Sequence, residues 1–250
     1  MNDVYFDCNR GISGNRIIGA LLDAGYPLDA LTAVVREILP TENYEFQIHK
    51  ISFNQRTATF FDVILPEYDP GLTYEQLPKR SLSDIIELIR QSSMDDWIKT
   101  KSIAVFQRLA QAEAEAHQCD IEEIDFHERG AIDTIIDVVG SVSGLHYFQI
   151  KRILSSPLNV GFGTIRYRYG TLPIPAPATQ RLLKDVPVYV NEVGGELVTP
   201  TGAAILTTLC SKYQNIEICT FVSEGYGLGK PEHSFEDCLR ISIVPHTEKL

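Results

Sequence analysis

Ile124-Asp-Phe-His-Glu-Arg-Gly-Ala-Ile-Asp-Thr-Ile-Ile-Asp-Val-Val-Gly140 reads as a strand handing over to a helix. A short strand ends in His127-Glu128, Gly130 makes the turn, and the helix beyond carries Asp133 and Asp137. Four residues apart, the two aspartates share one helix face. Ile132, Ile135, Ile136, Val138 and Val139 flank them, and Gly140, Ser141 and Gly144 continue their stripe. An acid-and-glycine stripe on an apolar helix makes a poor solvent face. Buried carboxylates there need a cation, a donor network or a wet cavity. With His127 and Glu128 arriving from the strand end, the set fits a divalent metal or acid–base chemistry. Plainer alternatives stand beside this: Asp133 placed by the helix dipole, Asp137 in a distant salt bridge, His127 a satisfied core histidine.

Working outward, Val4–Asp7 is a short buried strand. The turn Cys8-Asn-Arg-Gly-Ile-Ser-Gly14 leads from it into a helix over Asn15–Ala24, ended by Gly25 and Pro27. Free N–H groups at such a junction can cradle an anion, with Gly11, Ser13 and Gly14 facing it; the alternative is a tight turn capped by Ser13. A second helix spans Leu28–Leu39. Alternating runs at Tyr44–Phe53 and Thr57–Leu65 predict a β-hairpin. Glu67–Lys79, with Pro70, Gly71 and Pro78, reads as a loop and the best border between two subdomains. Helices follow from Ser81 and from Asp95 or Asp96 to His117.

Beyond the opening segment, strands are predicted at Arg152–Val160, Thr164–Tyr169 and Val186–Val190, with a helix over Ala178–Lys184. Thr199 and Pro200 suit the N-cap and first position of a helix reaching Cys210. Glu196, Thr199 and Thr201 there either face a polar ligand or simply open a capped helix. Strands at Ile216–Glu224 and Asp237–Val244 close the chain, separated by a loop Gly225-Tyr-Gly-Leu-Gly229. The pattern predicts an α/β or α+β fold, a mixed sheet flanked by helices with a central hairpin.

The 250 residues carry 33 acids against 22 bases, a net charge of -11, which disfavours nucleic acid and anionic membrane as partners. No apolar run approaches a membrane span, and no basic-then-apolar leader opens the chain, so a cytoplasmic location is expected. Five scattered cysteines make neither a disulfide framework nor a zinc knuckle. Only Cys8 sits near the motifs, as a soft donor.

Taken in order, Asp7-Cys8 with Gly11-Ile-Ser-Gly14, Ala112-Glu-Ala…His117, and Phe126-His-Glu…Asp133…Asp137-Val-Val-Gly140 form a pattern. Ser156-Pro-Leu158, Leu172-Pro-Ile-Pro-Ala-Pro-Ala-Thr179, Gly195-Glu-Leu-Val-Thr-Pro-Thr-Gly-Ala203 and Gly225-Tyr-Gly-Leu-Gly229 extend it. Over nearly the whole chain this resembles the LarC family of nickel insertion proteins. The resemblance implies insertion of nickel into the pyridinium bisthiocarboxylic acid mononucleotide, giving a nickel-pincer cofactor in which nickel is held by carbon and two sulfurs. It implies an enzyme component of the lyase or chelatase class, with Ni2+ handled by Asp7, His127, Glu128, Asp133 and Asp137 and aided by Cys8. His127, Glu128, Asp133 and Asp137 would also supply acid–base chemistry. Gly11, Ser13, Gly14, Glu196, Thr199 and Thr201, beside Asp7, would face the ligand.

Two positions depart from the pattern. Asn15-Arg16 follows Gly14 where the family has Asp-Met, and Tyr169 stands where a histidine is usual. The family's CTP-binding domain, with its Mg2+ or Mn2+, would begin where this sequence stops, so a separate CTP-binding partner is expected. Two other readings remain open: a non-catalytic divalent-metal carrier or scaffold, and a metal-dependent hydrolase or transferase of unrelated substrate. Oligomeric state is left open.

Overall fold

A computed structural model describes residues 1–53, 56–66, 79–126, 131–167, 170–216, 220–230 and 237–247. His127, Glu128, Gly130, Tyr169 and the expected subdomain border at 67–78 lie outside them. The chain opens with β1 (Asn2–Asp7), α1 (Gly14–Asp23), α2 (Leu28–Ile38) and the hairpin β2 (Glu45–Phe53) and β3 (Arg56–Ile64). Next come β4 (Arg80–Ser81), α3 (Leu82–Gln91), α4 (Asp96–His117), β5 (Asp125–Phe126) and α5 (Ile132–Tyr147). Then follow β6 (Ile150–Ser155), β7 (Leu158–Asn159), β8 (Gly161–Phe162), β9 (Thr164–Tyr167), β10 (Gly170–Pro173) and α6 (Pro177–Leu182). β11 (Val188–Tyr189), β12 (Gly195–Glu196), α7 (Pro200–Leu209), β13 (Lys212–Tyr213), β14 (Ser223–Leu228) and β15 (Leu239–Pro245) complete it.

Local chemistry sets the helix starts. Ser13 accepts from the Arg16 N–H and Asp95 from that of Trp97. Ser81 and Asp84 make a reciprocal capping box, and Thr199 accepts from the Gly202 N–H with Pro200 at the first position. Each such cap satisfies an N–H that the first turn leaves without an intrahelical partner.

A seven-stranded sheet runs in the order β13-β6-β1-β15-β14-β3-β2. β13, β6 and β1 are parallel, β15 is antiparallel to β1 and β14, and β14 is parallel to β3. The carboxyl ends of β13, β6, β1, β14 and β3 therefore share one edge. This is the expected α/β mixed sheet, with the hairpin at its outer side. Buried apolar side chains from Val4 to Ile243 form its main core, residues before and after positions 67–78 included.

α5 packs against α1, α2 and α4. Ile135, Ile136, Val138, Val139, Val142 and Leu145 on it have no exposed surface, each burial contributing roughly 1.5–3 kcal/mol. That total exceeds the several kcal/mol by which an ionised carboxylate resists burial, so the helix can carry Asp137 inside. The lower part of the expected polar stripe is corrected. A β-carbon on Gly140 would meet Leu31 and Ile18, and one on Gly144 would meet Leu21 and Tyr26. These glycines seat α1 and α2 rather than line a cavity.

Two strand expectations change. The run 152–160 is split by Ser156-Pro157, β6 staying in the main sheet while β7 pairs with β11. The expected loop 225–229 belongs almost wholly to β14, whereas 217–219 lie outside the described residues. Its glycines serve proximity: a β-carbon on Gly227 would sit 1.9 Å from the Arg16 carbonyl oxygen, so α1 lies directly on the strand backbone.

Candidate functional site

Because α1 follows β1, and α5 and α7 precede β6 and β13, all three helices start at the carboxyl edge of the sheet. The turn leading into α1 and the segment leading into α7 are joined by backbone. Ile12 N–H donates to Leu197 O at 2.9 Å, Thr199 N–H donates to Ile12 O at 3.1 Å, and Ile12 bridges Val198. This brings Gly11, Ser13 and Gly14 together with Glu196, Thr199 and Thr201. Ser13 is buried, while Glu196, Thr199 and Thr201 are half-buried. The hydroxyls of Ser13 and Thr199 both cap their own helices.

Asp137 enters from α5. It is 7% exposed, and a β-carbon on Gly14 would lie 2.2 Å from its Oδ2. Only glycine leaves room for the carboxylate against the first turn of α1. Its Oδ1 is buried and has no hydrogen-bond partner among the described residues. Burial, then the charges of Asp133 and Asp62, hold its carboxyl well above the usual carboxylate range. The salt bridge weighed for Asp137 is absent among the described residues. Asp133 sits half-buried in the first turn of α5.

Asp62 is a member of this site that the sequence reading missed. It is 6% exposed on β3, its Oδ1 accepts from Asn15 Nδ2 at 3.2 Å, and its Oδ2 pairs with Lys230 Nζ. The signal was available: an acid within Phe60-Phe61-Asp62-Val63, a strand buried on both faces. Arg16 adds no free cation at the mouth. It is 4% exposed and donates from Nη1 to Arg10 O at 2.6 Å, near Asp237.

Asp7, half-buried, accepts from Asn9 N–H at 3.3 Å within its own turn. Cys8 is fully buried in the main core, its Sγ 3.4 Å from Ser155 Oγ, and burial pushes its thiol up to about 12. Cys8, Cys119, Cys210 and Cys238 are unpaired.

Among the described residues, no three His, Cys, Asp or Glu side chains gather as a metal-holding group. No such group therefore includes Asp133 or Asp137 among the described residues. A groove of about 670 Å³ lined by Met1, Trp97, His146, Tyr147, Gln149, Ile150 and Lys151 lies at the opposite edge, by the amino ends of β1 and β6. It contains none of the converging groups. What the carboxyl edge offers is three helix N-termini, which favour anions, around a buried acid whose carboxyl is held above the usual carboxylate range.

A family profile described as nickel insertion protein matches residues 4–250. The chain belongs to the nickel insertion protein family. This family member is 39% identical, over 97% of its length, to a putative nickel insertion protein of Dictyoglomus thermophilum, of which it covers 61%. A pyridinium-3,5-bisthiocarboxylic acid mononucleotide nickel insertion protein of Desulfitobacterium hafniense is 39% identical over 97% of the chain and 58% of the relative. One of the same name from Geobacillus kaustophilus is 38% identical over 92% and 56%. The nickel insertion family chain therefore spans about three-fifths of the length of these relatives. No solved structure matches it.

Proposed function

We propose that this chain is the part of a nickel insertase that receives nickel and the pyridinium-3,5-bisthiocarboxylic acid mononucleotide, both as substrates. The observation that carries the reading is the meeting of α1, α5 and α7 N-termini around buried Asp137, in a member of the nickel insertion family. The helix N-termini of α1 and α7, with Gly11, Ser13, Gly14, Glu196, Thr199 and Thr201, receive the substrate's anionic groups. Asp133 and Asp137, with His127, Glu128 and Asp7, hold nickel transiently through N and O donors, a labile set suited to passing a metal on. Forming a nickel–carbon bond at the ring expels a ring proton, and a carboxylate of this group accepts it. Cys8 is left out of the set because it has no exposed surface and belongs to the main core.

CTP, with Mg2+ or Mn2+, is assigned to the portion of the relatives that this chain does not span, as a partner chain or domain. A cytoplasmic setting belongs to the same proposal; no described helix is long and apolar enough to cross a membrane.

Nickel insertion into the mononucleotide, assayed with this chain plus CTP and then with the remaining portion of a relative added, tests the reading. Product is expected only in the second case; CTP hydrolysis by the chain alone would overturn the division of labour. A second reading, a metal carrier without turnover, draws on Asn15, whose amide is committed to Asp62 where the family pattern has an acid. Nickel binding without product in the reconstituted assay would select it.

A further inference from the structure

The mouth of this site carries a charge problem. Asp62, Asp133 and Asp137 converge there, and the chain as a whole is acidic. A mononucleotide with phosphate and thiocarboxylate groups meets like charge on approach, and like charges juxtaposed across an interface oppose binding. Something cationic has to face it.

Among the described residues, the fold brings a cation, Lys230, to that place. β14 runs parallel to β3, with Leu228 beside Phe60, so both strands end at the same edge. There Gly229 packs closely on Asn15: a β-carbon on it would lie 2.7 Å from Asn15 Cβ. The chain thus passes the first turn of α1 just before Lys230. The Lys230 ammonium is paired with Asp62 yet its side chain stays 59% exposed, whereas Asp62 is buried and also fixed by Asn15. The pair is anchored at its acid end and open at its basic end. Asp137, nine-tenths buried with an oxygen lacking a partner, marks the floor beneath it.

We propose that Lys230 is a substrate-binding residue, contacting an anionic group of the mononucleotide, and that Asp62 is the positioning residue that aims it. The inference rests on the substrate proposed above. Asp62 holds the ammonium in place by its charge, and an ammonium carries three N–H donors, so the ion pair leaves donors for a ligand. A charge-assisted bond of this kind is worth roughly tenfold or more in affinity. The anion is either the phosphate monoester or a thiocarboxylate, which share the chemistry Lys230 recognises.

Calorimetric binding of the pyridinium-3,5-bisthiocarboxylic acid mononucleotide to the full chain tests this, with its dephosphorylated nucleoside as a second ligand. Lys230→Met is expected to weaken the mononucleotide roughly tenfold or more, with Lys230→Arg within about threefold of wild type. Asp62→Asn is expected to fall between them with a steeper salt dependence, because the ammonium is no longer aimed. If the nucleoside loses the same factor in Lys230→Met, the contact is to a thiocarboxylate; if it loses nothing, the contact is to phosphate. Wild-type binding that Lys230→Met leaves unchanged overturns this inference alone. Absence of mononucleotide binding by folded wild type overturns it together with the proposed substrate. Since Lys230 is exposed, its variants keep the test valid even if Asp62→Asn fails to fold.

Discussion

The Asp137 carboxylate occupies the space that any side chain on Gly14 would need, with Oδ2 2.2 Å from the position of a β-carbon there. Gly14→Ala must push α5 from α1 or turn the acid away. The expected destabilisation is about 1–3 kcal/mol, with altered nickel binding. Urea denaturation and nickel calorimetry check both; a variant equal to wild type in each contradicts the contact.

Asp137 also makes stability depend on pH in a defined sense. Its folded pKa is raised above the ordinary carboxylate value of 3.8, mainly by burial. The folded state therefore binds the proton more tightly than the unfolded chain. This contribution is complete below the unfolded value and is lost as pH rises through the folded one. Against Asp137→Asn, which stays neutral, wild type should lose ground from about pH 4 upward, by at most about 1.4 kcal/mol per pH unit. Parallel stability–pH curves for the two proteins would discard the buried acid.

Nickel binding should run the other way. His127 ligates only when neutral, with an unperturbed pKa of about 6.5, and protons compete with metal for Asp137 as well. Weak binding at neutral pH, lost at acid pH and reduced in Asp137→Asn, is the expected calorimetric result. Binding indifferent to both acid and the substitution removes Asp137 from the metal set.

At the opposite edge the sign reverses. Burial alone would raise Asp3, but bonds from Arg152 Nη2 at 2.6 Å and His246 Nδ1 at 2.8 Å bring its carboxyl below the usual value. That stabilisation is present above the unfolded value of 3.8 and disappears as pH falls through the folded one. Arg152→Met leaves a carboxylate with no exposed surface to His246 alone and should lower stability by on the order of 3 kcal/mol. Thermal melts at neutral pH decide; an unchanged melting temperature rejects the clamp.

Two glycine substitutions separate packing from flexibility. Gly227→Ala places a carbon 1.9 Å from the Arg16 carbonyl oxygen and 2.3 Å from Ala20 N, both backbone, and should cost upward of about 3 kcal/mol. Gly194→Ala meets only Phe162 at 3.6 Å, and should stay within about 0.5 kcal/mol. Equal effects would show that β14 does not carry α1 as described.

Those same glycines show where sequence reasoning succeeds and fails. Helix starts at Ser13, Ser81 and Thr199 were legible because each cap is local chemistry between residues two or three apart. The β2–β3 hairpin was legible from its alternation. β14 was not, since glycine demanded by a helix lying across a strand is written with the same letter as glycine in a loop. Asp62 escaped notice because its partners, Asn15 and Lys230, are distant in the chain and reach it only through the packing of α1 on β3 and the β14–β3 pairing. Asp137 was visible as an anomaly in an apolar helix, whereas the atomic contact between its carboxylate and Gly14 is purely tertiary and is written in neither segment.

The sheet order also governs how this molecule is made. β1, the strand that delivers the Asp7–Gly14 turn, has β6 on one side and β15 on the other, Asn2 pairing with Ile150 and with Pro245. On the ribosome the first strand emerges long before either neighbour exists, and its ladder closes only when the last strand has left the exit tunnel. Pairings so far apart in sequence form slowly and leave unpaired edges exposed meanwhile. Synthesis that stops before Leu239 leaves β1 open on one side, so a truncated product is a target for chaperones and proteases rather than a smaller working unit.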